Sequence, residues 1–314
     1  MSLASYTNVE TILESLKTYI RNELRDSKNL VRTVKAGLID ERDELPMIMV
    51  LPVLETIDIG FNGNLSLVSR QFRIDIVDKA FHVEDVRESL KRRIAALSTL
   101  FSIQHLNWNL SNSEGKIQNF DFELGRETLG EPTGEGNIYS QFATLPLTLR
   151  GYIQIDNPII PSDVIECSLL ELLDYLMMNA KNEFQGFDTF WRDIIKPTSL
   201  ENFPALGIFI QEPNEDKNTR TSTNFEDITL IYRVYSSLAT REIAFTNHLR
   251  NVEKIKEWIF ERPALDGRVD YFKINSIDYG IDLFKRPFQG GEQEYPVFRS
   301  DITCTCSLLE FKYS

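Results

Sequence analysis

The sequence predicts an α+β protein built as two tandem similar domains, residues 1–157 and 158–314. Each is expected to be a mixed or antiparallel sheet with two main helices packed on one face. Three observations predict this. Apolar residues recur at helical spacing in four separate stretches, and strict alternation marks strands between them. The order of these signals from Val9 to Ile155 is then written again from Val164 to Phe311. The offset is close to the size of one ordinary domain.

The first domain opens with Thr7 and, three residues on, Glu10. At that spacing a hydroxyl and a carboxylate can satisfy each other's backbone N–H groups, which predicts a capped helix start. Val9, Ile12, Leu13, Leu16, Ile20 and Leu24 form the apolar stripe, and Glu14, Lys17 and Arg21 are left to water. The charged stretch Asp26–Glu44 reads as an irregular connection with room for one turn of helix. A proline-led apolar run from Pro46 to Leu51 predicts a strand covered on both faces. Proline suits a strand start because its missing N–H need not join the ladder. Phe61-Asn62-Gly63-Asn64 predicts a tight hairpin turn, and Phe72, Ile74 and Ile76 then alternate with Arg73 and Asp75. Val83, Val86, Leu90, Ile94, Leu97 and Phe101 mark the second helix. Phe120, Phe122 and Leu124, then Leu145, Leu147 and Leu149, mark the closing strands.

The second domain repeats the order. Asp163 and Glu166 offer the same capping logic, and Ile165, Leu169, Leu172, Leu173 and Leu176 form the stripe. Pro204 leads the apolar run to Ile210. Ile228, Leu230, Tyr232 and Val234 alternate with Thr229, Ile231, Arg233 and Tyr235. Leu249, Val252, Ile255 and Ile259 mark the next helix, stopped by Pro263. Ile277 and Ile281, then Ile302, Cys304, Cys306 and Leu308, close the domain. Between the domains, Asp156–Ser162 carries two prolines, which predicts a stiff link and a fixed relation between the halves.

Composition narrows the function classes. Hydrophobic content of 42% and charged content of 26% are those of a globular protein. Lys plus Arg number 34 against 47 Asp plus Glu, a net charge of −13. That balance disfavours general nucleic-acid or acidic-membrane binding, which depends on clustered Lys and Arg. No secretory leader or spanning run is expected, and three cysteines make no disulfide framework, so a cytoplasmic, reducing setting is the expectation.

The chemical motifs are weak. Gly130-Glu131-Pro132-Thr133-Gly134-Glu135-Gly136 lacks the Lys-Ser/Thr of a phosphate loop, and its glutamates would repel phosphate, so it reads as a hairpin loop. Cys304 and Cys306 share one strand face and read as small hydrophobes rather than metal ligands. His82, His105 and His248 follow no metal-helix spacing, and no Gly-x-Ser-x-Gly elbow is present. Phe184, Phe187, Phe190 and Trp191 read as cover for the second core. No enzyme, cofactor or metal is expected. The candidate contact residues lie in loops: Gly130, Gly134 and Gly136 in the first domain, and Gly290 and Gly291 in the matching loop Lys285–Glu294. Asn214, Glu215 and Arg220 lie in the long polar stretch Gln211–Asn224.

Laid out this way, the chain resembles the tail terminator and tail-completion proteins of long-tailed bacteriophages. The carriers are the capped helix with Val9, Ile12, Leu13 and Leu16, and the strand led by Pro46. They continue in the strand with Phe72, Ile74 and Ile76, the helix with Val86, Leu90 and Ile94, and the last strand with Leu145, Leu147 and Leu149. The resemblance implies a virion protein assembled in the host cytoplasm as a homo-oligomeric ring, commonly a hexamer. Its implied partners are the tail tube or sheath protein and a neck or head-completion protein. DNA would pass through without specific binding. The doubling departs from the single-domain pattern, so six chains or three fused pairs could make the ring. Other readings are a neck or baseplate adaptor, or a duplicated α+β small-molecule enzyme or binding protein with a site at the domain interface.

Overall fold

Helix α1 (Val9–Ile20) buries Val9, Ile12, Leu13, Leu16 and Ile20, the stripe the sequence predicts. The computed structural model describes residues 8–40, 42–59, 65–102, 121–135, 138–154, 161, 163, 165, 167–192, 203–211, 227–237, 242–288 and 291–308. The cap of α1 differs from expectation. Asn8 is the N-cap, and its side-chain oxygen accepts the Thr11 N–H at 2.7 Å, which satisfies an orphan donor of the first turn; Thr7 lies outside the described residues. The helix runs on as a π-helical turn, Arg21–Ser27, which buries Leu24.

The remaining elements follow in order. The first half has β1 (Thr33–Ala36), β2 (Met47–Ile59), β3 (Leu65–Ala80), α2 (Val83–Ser102), β4 (Asp121–Leu124), β5 (Thr128–Leu129), β6 (Thr133–Glu135) and β7 (Ile138–Gln154). The second has α3 (Leu169–Glu183), β8 (Thr189–Trp191), β9 (Ala205–Ile210), β10 (Asp227–Ser236), α4 (Glu242–Glu261), β11 (Val269–Phe288) and β12 (Gly291–Leu308). All strands join one mixed sheet of order β4-β7-β3-β2-β11-β12-β10-β9-β8, with β1 beside β2 and with β5 and β6 beside β7. The first half therefore contributes β4-β7-β3-β2-β1 and the second β11-β12-β10-β9-β8. The β1–β2 and β8–β9 pairs are parallel and the others antiparallel. Each of β2 and β9 is preceded by a cis X–Pro bond, at Pro46 and Pro204.

Several expectations need correction. Asp26–Glu44 is not wholly irregular, since β1 lies within it. Helix α3 starts at Leu169 under a Ser168–Glu171 capping box rather than near Asp163. Ile165 is exposed, and its N–H is held by the Gly267 carbonyl at 2.8 Å, which keeps that residue out of the helix. Of the two matched long loops, the second is largely strand and the first is strand in part. Lys285–Phe288 and Gly291–Glu294 pair in the β11–β12 hairpin, and within the first loop, Gly125–Asn137, β5 and β6 are short strands on β7. The Asn-Gly turn at 61–64 and most of the Asp156–Ser162 link fall outside the described residues.

All four helices lie on one face. Ile48, Val50, Phe72, Ile74, Ile76, Leu145, Leu147 and Leu149 point to that face in the first half and pack with α1 and α2. Leu206, Ile208, Leu230, Tyr232, Ile274, Ile277, Ile302, Cys304 and Cys306 do so in the second, with α3 and α4. Glu55, on the helix face of β2, is the partner of Ile277 on the helix face of β11, so the two buried faces are one. The cores also interpenetrate. Phe245, Leu249 and Phe298 belong to the first cluster, and Ile57 and Val68 to the second.

Candidate functional site

The chemistry of the molecule concentrates where the halves meet. Along one edge of β2, Met47–Val50 carry β1. A register shift between Pro52 and Leu54 follows, and beyond it Leu54–Thr56 pair with Ser276–Asp278 of β11. A bulge of this kind bends a strand and re-aims its side chains. Here it turns Glu55 onto the helix face, beneath α4.

Glu55 meets three other charges there. Lys256 Nζ lies 2.9 Å from Glu55 Oε1 and 3.1 Å from Glu253 Oε2, and Arg70 Nη2 lies 3.6 Å from Glu55 Oε1. All four side chains are buried. Glu253 also accepts the Val9 N–H at 3.1 Å, so a residue of α4 completes the N-terminus of α1. Burial pushes the Glu55 carboxyl up against the opposing pull of Arg70. It pushes Glu253 well up, reinforced by Glu55, and Lys256 well down. The formal charges balance, and removing one member would leave its partners charged in a dry interior.

Past Asp278, β11 parts from β2 and opens a cavity of 280 Å³. Leu51, Pro52, Tyr279 and Phe298 line it, with His248 on its helix side and Arg73 and Arg299 among its polar groups. That volume is slightly below the usual small-ligand range of about 300–1,000 Å³. His248 is fully buried. Its Nδ1 lies 3.0 Å from Ser236 Oγ and its Nε2 2.8 Å from Ser300 Oγ. Burial lowers its pKa to about 3, so the ring is neutral at pH 7. Both nitrogens are engaged by hydroxyls, so the ring works as a cross-link between β10, α4 and β12.

The helix-free face carries paired charges and aromatics. Arg233 grips Asp301 with two bonds of 2.7 and 2.8 Å, Arg299 reaches Asp278 at 2.8 Å, and Arg73 reaches Asp75 at 2.9 Å. Trp191 lies flat on Gly207 and stacks on Tyr235, 5.7 Å between centroids.

The expected contact residues do not gather. The Gly130 N–H donates to the Phe142 carbonyl at 3.0 Å, and Gly134 sits in β6 opposite Tyr139. Gly291 sits in β12 opposite Phe288, beyond β3 and β2 in the sheet order. Asn214, Glu215, Arg220, Gly136 and Gly290 lie outside the described residues. Cys304 and Cys306 are core side chains opposite Ile274 and Phe272, as expected. Phe184 and Phe187 join the second core, while Trp191 covers the other face. Sequence reasoning missed the four-charge cluster. A signal existed, because Glu253 and Lys256 interrupt the α4 stripe at positions between Leu249, Val252 and Ile259 where apolar residues belong.

Among the described residues no helix is long and apolar enough to cross a membrane. No protein-family model matches the chain, and no curated protein sequence matches it significantly.

Proposed function

We propose that this chain is a structural virion protein of a tailed bacteriophage, a ring-former that terminates the tail tube and joins it to the neck. In this reading the chain is two fused copies of one tail-terminator-like domain. One observation carries the proposal: both halves use the same strand order, β4-β7-β3-β2-β1 and β11-β12-β10-β9-β8, with the helices on one face. A second, the net charge of −13, suits a lumen through which DNA must pass without sticking. The partners are further copies of the chain, the tail tube or sheath protein, and a neck or head-completion protein.

Native mass spectrometry with electron microscopy tests this. The expected result is a closed ring, six copies of the 36.3 kDa chain or three, formed alone or on tail tubes. A monomer under both conditions overturns it. The junction cavity favours a second reading, a small-molecule binding protein with its site between the halves. In that case a panel of small carboxylates and phosphates would raise the melting temperature, and Arg73→Ala would abolish the rise.

A further inference from the structure

We infer that the groove between α3 and β8 seats the first turns of α2 from a second copy of this chain, repeating between chains the seat that α1 and β1 give α4 within each chain. The inference rests on the proposed duplication and ring assembly, and it names the surface through which the ring would close.

The two halves align residue by residue at this seat. Helices α1 and α3 begin one residue after the caps Asn8 and Ser168. At that offset Ile12, Leu16 and Ile20 fall on Leu172, Leu176 and Ala180, all buried. Strands β1 and β8 open on matching bonds: the Arg32 N–H donates to the Pro46 carbonyl at 2.7 Å and the Asp188 N–H to the Pro204 carbonyl at 2.8 Å. Thr33 and Thr189 then stand opposite Met47 and Ala205, so Ala36 falls on Arg192. Helices α2 and α4 are both 20 residues long, and Val86, Leu90 and Leu97 fall on Phe245, Leu249 and Lys256, again all buried.

In the first half the seat is filled. Lys17 Nζ holds the Glu242 carboxylate at 2.5 Å, and the Ala36 N–H donates to it at 3.5 Å. Two turns along α4, Arg250 grips Glu10 with bonds of 2.8 to 3.1 Å. The numbering runs oppositely on the two helices, so they cross antiparallel, with Glu14 and Thr246 midway along the contact.

In the second half the matching place is an open groove of 470 Å³, lined by Asp174, Met177, Met178 and Arg192 among others. Met177, Asp174 and Leu170 hold the places of Lys17, Glu14 and Glu10. Nothing among the described residues covers the outer side of α3, where Leu170 and Met178 are 68% and 57% exposed. The chain's own α2 cannot reach it. That helix packs on β3 and β7, and β2, β11, β12, β10 and β9 lie between those strands and β8.

Helix α2 carries the face that fits. Val83, Arg87 and Lys91 hold the places of Glu242, Thr246 and Arg250 and share one side of the helix. Arg87 and Lys91 are exposed and Val83 is partly so. Laid in the groove as α4 lies on α1, Val83 meets Met177, Arg87 meets Asp174, and the Lys91 stem covers Leu170. The ion pair of Lys17 with Glu242 is replaced by an apolar contact, and the opposite charges now face each other at the middle of the crossing. A second copy is therefore the occupant the fold specifies. The two surfaces differ and lie at opposite ends of the sheet, so the contact is heterologous and closes into a ring when the rotation permits.

Two measurements on the full-length chain test the inference. Arg87→Glu sets a carboxylate against Asp174 and is expected to raise the concentration at which the ring forms by about tenfold or more, with the circular dichroism of the wild type. Arg92→Glu, exposed on the same helix but off that face, leaves assembly unchanged. In a Cys167→Ser background, Lys91→Cys with Leu170→Cys, treated in the ring with a short bismaleimide, yields chains linked covalently to one another, and neither single variant does. Assembly of Arg87→Glu at the wild-type concentration, or a doubly substituted ring without chain-to-chain product, overturns the inference and leaves ring assembly standing. A wild type that forms no ring overturns both.

Discussion

Lys256 lies between Glu55 and Glu253, and all three are shut away from water. Lys256→Met should cost about 3–5 kcal/mol, because the two carboxylates lose the cation between them. Adding Glu253→Gln to that variant should recover part of the loss. Urea unfolding in a double-mutant cycle reads both effects. A single variant within about 0.5 kcal/mol of the wild type would show that the cluster is wetter than its burial indicates. His248 gives a pH signature. Its pKa is depressed from 6.5 to about 3 by burial, so the unfolded chain takes up the proton first. The stability it supplies is complete above about pH 6.5 and drains as pH falls towards 3, by up to about 1.4 kcal/mol per pH unit. His248→Gln should flatten that slope between pH 6 and 4. Equal slopes in the two proteins would exclude His248 as the source.

At the scale of elements, the long pieces were legible and the short ones were not. The stripes of α1, α2 and α4 lie where periodicity puts them, because three or more turns of helix average out single exceptions. β1 and β8 have four and three residues and pair in parallel with strands that follow them, so neither leaves a periodic signal. The start of α3 was expected at Asp163–Glu166, whereas the structure caps it at Ser168–Glu171. Gly267 decided it, at φ +85° with its carbonyl bound to the Ile165 N–H. Gly207 has a different reason to be glycine. A Cβ there would fall 2.3 Å from the Trp191 ring. Gly207→Ala should lift Trp191 from β9, lower stability by about 1–3 kcal/mol and shift the Trp191 fluorescence to the red. A Trp191→Phe control identifies the signal, and an unshifted spectrum would mean the ring never lay on the glycine.

For the whole molecule, the sequence suggested two bodies on a stiff link, whereas the halves share a sheet and exchange core residues. Residues 1–157 alone would uncover Glu55, Ile57, Val68 and the β2 edge that β11 covers. That fragment should self-associate and bind a hydrophobic dye, while the full chain unfolds in one cooperative transition. A monomeric, well-folded fragment would show that the joint adds little to the stability of the first half.

By itself the sequence determined the α+β class, the repeated element order, the helix stripes and the core role of Cys304 and Cys306. Each is a local pattern, fixed by the periods of helix and strand. Tertiary structure alone decided which edges meet, where the charges are buried and which glycines are obligatory. Glu55 and Lys256 stand 201 positions apart, and no local period carries information over that distance. Their contact exists because a bulge in one strand and the sparse pairing of another bring two buried faces into register.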